Sequence, residues 1–175
     1  EDAGNPLAPP RDVTDFGRFA EAVAGGYRDA VDIYQIWDEP NIQPHWGRGW
    51  VNPQGYFDLL REAANSIQRA DPDAQIMLAQ LAPTTANDTL NLPDTVFIDR
   101  LYELGAAEYF DLAAAAAYGL EQPPTADPGL DRLNFRRPEL LRQVMERHDD
   151  AATPLWITAW GWWTPPARNS EADSP

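Results

Sequence analysis

The sequence predicts an α/β protein built around a parallel sheet, and three observations carry that prediction. Short, almost continuously apolar segments alternate with longer amphipathic ones. The amphipathic segments repeat their apolar residues at helical spacing, and the order along the chain is αβαβαβαβ. Apolar strands separated each time by a helix are covered on both faces, the pattern of parallel sheets with right-handed crossovers.

The first helix is predicted from Asp12 to Tyr27, where Phe16, Phe19, Ala20 and Val23 share a face, Asp12 and Thr14 offer caps, and Gly25-Gly26 stops the run. Val31 to Trp37 is β-branched and aromatic and is closed by Pro40, so it reads as the first strand. The second helix is the clearest: Asn52 caps it, Pro53 fits its first turn, and Tyr56, Leu59, Leu60, Ala63, Ala64 and Ile67 form one face before Asp71-Pro72. Ala74 to Leu81 is a second strand. A third helix runs from about Asp94 to Leu104 with Gly105 as its stop. Asp111 to Tyr118, mostly alanine, is a third strand suited to a crowded interior. A loop rich in Pro, Gly and Asp (Leu120 to Asn134) precedes a fourth helix, about Pro138 to His148. The last strand is Pro154 to Trp160, with Trp156 in the core, followed by a turn at Gly161-Trp162-Trp163. Residues 1–164 thus form one folded unit, and 165–175 a polar, disordered tail.

The chain has 175 residues, enough for about one domain but short of the roughly 250 of a complete eight-stranded α/β barrel. Its apolar share of 43% and charged share of 23% are those of a globular protein, not of a disordered or coiled-coil one. A net charge of −15 would repel phosphate, so neither nucleic acid nor an anionic membrane is an expected partner. All 13 basic residues are arginine, which excludes a lysine nucleophile, Schiff base or P-loop lysine. The absence of cysteine removes disulfides, thiolate nucleophiles and Cys-ligated zinc. With two histidines no His-rich metal site is expected, and no cofactor is implied; His148, near a helix end, suits a structural role. No apolar run has membrane-spanning length, and Glu1 to Pro6 lacks the features of a signal peptide, which leaves the compartment undecided.

In parallel sheets the chemistry gathers just beyond the carboxyl ends of the strands. Strand one leads into Trp37-Asp38-Glu39-Pro40-Asn41-Ile42-Gln43-Pro44-His45-Trp46, strand two into Gln80 and Thr84, strand three into Tyr118, Gly119 and Glu121, and strand four into Trp160, Gly161, Trp162 and Trp163. Carboxylates, an amide, an imidazole and several indoles suit a sugar, whose C–H faces stack on aromatic rings while its hydroxyls need paired donors and acceptors.

Val31 to Asn41 resembles the "WNEPN" stretch at the fourth strand of clan A glycoside hydrolases, retaining (β/α)8-barrel enzymes. Ile42, His45 and Trp46 are more similar to the family 39 branch than to the family 5 cellulases. Pro154 to Trp162 is similar to the seventh-strand "WITEFGW" stretch, and Asp111 to Gly119 to a sixth-strand stretch ending in His-Pro-Tyr-Gly. The resemblance spans roughly Pro9 to Trp163 and implies a partial TIM barrel, from the third helix to the seventh strand, acting on the O-glycosidic bonds of an oligosaccharide or glycoside. Extracellular location is common in such a family.

Carried over by position, the resemblance makes Glu39 the general acid/base, whose carboxyl a desolvated strand end would raise. Asp38 falls on the family's Asn, which hydrogen-bonds the sugar 2-hydroxyl; Asp can accept that bond but not donate. Trp37, Asn41, His45 and Tyr118 are further candidate substrate contacts, and Trp46, Trp160 and Trp162 candidate stacking platforms, Trp160 facing either into or out of the barrel. Ala159 occupies the nucleophile position, and alanine cannot attack an anomeric carbon. Natural loss of activity, an engineered substitution, and a nucleophile supplied elsewhere, such as Glu121, all remain open. Three readings follow: a glycosidase whose catalytic pair is incomplete, an inactive carbohydrate-binding or scaffold barrel, or an unrelated α/β binding domain. A partial barrel has open sheet edges, so the rest of the barrel or a partner chain is expected to cover them.

Overall fold

A computed structural model describes residues 4–163; the expected tail lies outside them. The elements follow the predicted alternation: α1 (Val13–Tyr27), β1 (Ile33–Asp38), β2 (His45–Arg48), α2 (Pro53–Ala70), β3 (Gln75–Gln80), α3 (Asp94–Glu103), a 3-10 turn (Ala106–Tyr109), β4 (Ala113–Leu120), α4 (Pro138–Arg147) and β5 (Leu155–Trp162). Of the predicted caps, Asp12 accepts from the Thr14 backbone N–H and Asn52 from that of Gly55, while Thr14 itself lies inside α1. Two elements were not expected, β2 and the 3-10 turn, since neither carries an apolar run. One boundary is corrected. Gly161-Trp162 is not a turn, because β5 stays paired with β4 until Leu120 faces Trp162.

β1 pairs with β3 and β4 with β5, all parallel. Two parallel bridges, Met77 to Leu112 and Leu81 to Ala115, join β3 to β4. The spatial order β1-β3-β4-β5 therefore follows the chain without reversal. A doubly wound sheet reverses its order at a switch point, whereas a barrel winds one way. The arc here is open, and among the described residues β1 and β5 are each paired along one edge only.

The helices lie on one face of this arc. Tyr56, Leu59, Leu60, Ala63, Ala64 and Ile67 of α2 pack with Ile36, Ile76, Leu78, Leu81, Ala113 and Ala115 of the strands and with Phe97, Ile98 and Leu101 of α3. Each fully buried Leu or Ile contributes about 1.5–3 kcal/mol. The period of two sends Met77, Leu112 and Ala114 to the opposite face, where they form a small second cluster with Ile33. Gly17 lets α1 approach α2 closely, since a Cβ there would meet Glu62 Oε1 at 2.6 Å.

Trp156 is not core: nearly half of it is exposed, as are Ile157 and, more so, Trp160. The sequence cannot distinguish an apolar strand covered on both faces from one waiting for cover. One buried charge pair fastens the loops. Arg137 donates to Asp94 (Nη2 to Oδ1, 2.6 Å; Nε to Oδ2, 2.9 Å) and to the carbonyls of Thr84, Gly129 and Arg132. It thereby ties the segments after β3 and β4 to the start of α3. No helix among the described residues is long and apolar enough to cross a membrane.

Candidate active site

The site begins with an irregularity in the β1–β3 ladder. Ile36 faces Leu78 and Asp38 faces Gln80, but Trp37 has no partner and adopts a left-handed backbone, φ 74°. The Tyr56 hydroxyl from α2 enters the gap, donating to the Ile36 carbonyl (3.0 Å) and accepting from the Ala79 N–H (2.9 Å). Glu39 is also left-handed, φ 49°, and its N–H donates to the Gln80 carbonyl. Such conformations cost energy in bulky residues and persist where surrounding contacts fix them. Here the Trp37 indole donates to the His45 carbonyl (2.8 Å) and meets Phe16 and Trp46 edge-on.

This turn brings three predicted site residues together. His45 Nδ1 lies 3.3 Å from Glu39 Oε2 and 4.0 Å from Asp38 Oδ2. The Glu39 side chain is 19% exposed, against 62% for Asp38. Burial pushes the Glu39 carboxyl above the usual glutamate range; His45 partly opposes this, and the negative charge of Asp38 adds to it. A carboxyl so placed keeps its proton to higher pH than a surface glutamate and can donate it to a leaving oxygen.

Gln80 connects this corner to β5. Its carbonyl receives the Glu39 N–H, and its side-chain oxygen accepts from Thr158 Oγ1 at 2.7 Å. Ala159, next to Thr158 and opposite Ala116, lies within β5 close to the level of Gln80. At the carboxyl ends of β4 and β5 is an open cleft of about 570 Å³ lined by Leu120, Glu121, Gln122, Pro123, Pro124, Trp162 and Trp163. Trp162 stacks on Phe135 (4.5 Å, 22°) and donates to the Gln122 carbonyl. Its indole covers Gly119, where a Cβ would fall 1.9 Å from Nε1. Trp160 and Tyr118 are both exposed.

Two predicted contacts are placed elsewhere. Asn41 is fully buried, its amide donating to the carbonyls of Ala82 and Leu92 and accepting from the Ala82 N–H. It ties its loop to the segments at Ala82 and Leu92. Trp46 is 6% exposed and packed edge-on against Trp37 and Tyr56, so most of its indole serves the core instead of a stacking platform. Trp37, half-buried, supports His45 through its indole. Tyr56, Thr158 and Phe135 were missed; each acts through a contact distant in sequence, and Phe135 follows a loop without periodicity.

No protein-family profile matches the chain, and no curated protein does either. Solved structures match it well. A glucosidase from Croceicoccus marinus superposes with a TM-score of 0.66 at 19% identity, over 95% of this chain and 34% of that one. A family 39 glycoside hydrolase from Bacteroides cellulosilyticus gives 0.58 at 18%, over 87% and 31%. A family 44 xyloglucanase from Paenibacillus polymyxa gives 0.54 at 13%, over 83% and 40%. The chain thus spans about a third of the length of the first two. What it shares with these proteins is the fold, part of the TIM barrel used by glycoside hydrolases.

Proposed function

We propose that this chain carries the acid/base half of a site for O-glycosidic bonds in a (β/α)8 glycoside hydrolase, with Glu39 as the general acid/base. The observation that carries this reading is the half-buried Glu39 carboxyl, raised by burial, at the carboxyl end of a barrel-type strand. Glu39 protonates the oxygen that leaves as the glycosidic C–O bond breaks; where a carboxylate from outside the described residues takes up the anomeric carbon, Glu39, now ionised, removes a proton from the water that displaces it. His45, 3.3 Å away, steadies the carboxylate after transfer. Asp38 accepts a bond from a sugar hydroxyl, while Trp160 and Tyr118 offer exposed aromatic surface and Trp162, stacked on Phe135, lines the neighbouring cleft. The remaining βα units, or a partner chain, complete the barrel beyond the edges of β1 and β5.

A retaining reaction needs a second carboxyl group about 5–5.5 Å from the first. Ala159 supplies none. That residue, with the open indole-lined cleft, favours the second reading: a barrel that binds carbohydrate without turning it over.

The test is a panel of aryl β-glycosides offered to the full-length protein. Glu39→Gln should lower kcat about 10²–10⁴-fold; undiminished turnover would remove Glu39 from catalysis. Azide with an activated substrate should yield a glycosyl azide, and Ala159→Glu should raise turnover by orders of magnitude. No response to either would refute the placement of Ala159. Oligosaccharide binding by calorimetry without any turnover would select the second reading.

A further inference from the structure

The corner holding Glu39 has a second chemical capacity. Asp38, Glu39 and His45 each present one ligand atom, and the three atoms lie within 4.8 Å of one another. We propose that they form a binding site for a divalent transition cation of borderline softness, with Zn²⁺ as its representative.

Ligand bonds of about 2.0–2.2 Å in a tetrahedral arrangement put neighbouring ligand atoms about 3.3–3.6 Å apart. His45 Nδ1 and Glu39 Oε2 are already at 3.3 Å. Asp38 Oδ2 stands farther off, at 4.0 Å from the same nitrogen, on an exposed side chain that would turn inward to bind. The donor set of one imidazole nitrogen and two carboxylate oxygens suits Zn²⁺; a Mg²⁺ or Ca²⁺ site is built from oxygens alone. One position remains for water.

The backbone behind these donors is held in place. The Trp37 indole fixes the His45 carbonyl, the Glu39 N–H is bonded to β3, and Asn41 locks the loop between them from a fully buried position. A loop held this firmly loses little freedom when its side chains converge on an ion. Bound metal would also occupy the Glu39 carboxylate and withhold it from proton transfer. The site itself follows from the three donors, and it stands whether or not Glu39 is a catalytic acid.

The test is a calorimetric titration of the full-length protein with ZnCl2, repeated in excess MgCl2 at constant ionic strength. One equivalent should bind, Mg²⁺ should not displace it, and His45→Ala and Asp38→Asn should each weaken it at least tenfold. Because neither variant touches the hydrophobic core, unchanged thermal melts would exclude misfolding. Equal affinity in wild type and His45→Ala, or full displacement by Mg²⁺, would overturn the proposal and leave only the ion atmosphere of a chain with net charge −15. Glycosidase activity is not part of this readout, so loss of one reading does not carry the other with it.

Discussion

Tyr56→Phe removes a single oxygen, and the structure allows its cost to be worked out. That oxygen bridges the two strands beside Trp37, since it receives the Ala79 N–H and donates to the Ile36 carbonyl. Tyr56 and Ala79 are fully buried and Ile36 nearly so, so water cannot replace it without opening the sheet. Phenylalanine keeps the ring and its contacts with Trp46 and Phe97, so the hydrophobic contribution is unchanged. What remains is one donor and one acceptor without partners, at about 1–3 kcal/mol each. Partial relaxation of the strands brings the expected loss to about 2–4 kcal/mol. Equilibrium urea unfolding of the intact protein is the assay. With a slope of about 2 kcal/mol/M, the midpoint should fall by about 1–2 M at unchanged slope. A midpoint within about 0.3 M of wild type would show that the strands re-pair without the hydroxyl and that Tyr56 does not hold the break at Trp37.

Two further outcomes follow from buried charge. Arg137→Met leaves the Asp94 carboxyl enclosed without its partner and should cost about 3–5 kcal/mol; adding Asp94→Leu should restore part of this, and thermal melts of the single and double variants would check it. A single variant within about 1 kcal/mol of wild type would refute the buried pair. The raised Glu39 carboxyl predicts a pH effect of definite sign. The folded state holds a proton that the unfolded chain releases, so this group's contribution to stability is complete below its ordinary value of 4.5 and is lost as pH rises through the folded value. Glu39→Gln does not titrate, so its melting temperature should gain on wild type as pH increases through that interval. A constant difference across it would contradict the burial effect.

Much of the fold was legible because strands and helices announce themselves locally. The face of α2 reads directly from Tyr56 to Ile67, and Asn52 and Asp12 cap where their side-chain chemistry requires. Glu39 stands out in the sequence because a carboxylate and a strand end coincide there, and the fold sets it beside Asp38 and His45. The misplacements share a cause, in that burial is a property of distant neighbours. Asn41 looks like a ligand contact until Ala82 and Leu92, 41 and 51 residues away, take up its amide. Trp46 becomes core because Tyr56 and Trp37 close over it. Trp156 reads as core for the opposite reason, since an uncovered edge strand has the composition of a covered one.

The alanine run of β4 has a consequence for how this chain can change over generations. Ala113 to Ala117 are all buried, 0–3% exposed, although alanine is a poor strand former. Space, not propensity, dictates them, because the bulk at this level comes from neighbours: Trp156 is opposite Ala114, Ile157 opposite Ala115, and Leu81 bridges to Ala115 from the other side. Enlarging one alanine alone would overpack the sheet at about 1–3 kcal/mol. Accepted substitutions should therefore arrive in pairs, a gain in volume on β4 matched by a loss on β3 or β5. Among descendants and relatives of this chain, the volumes at positions 114 and 156 should vary inversely.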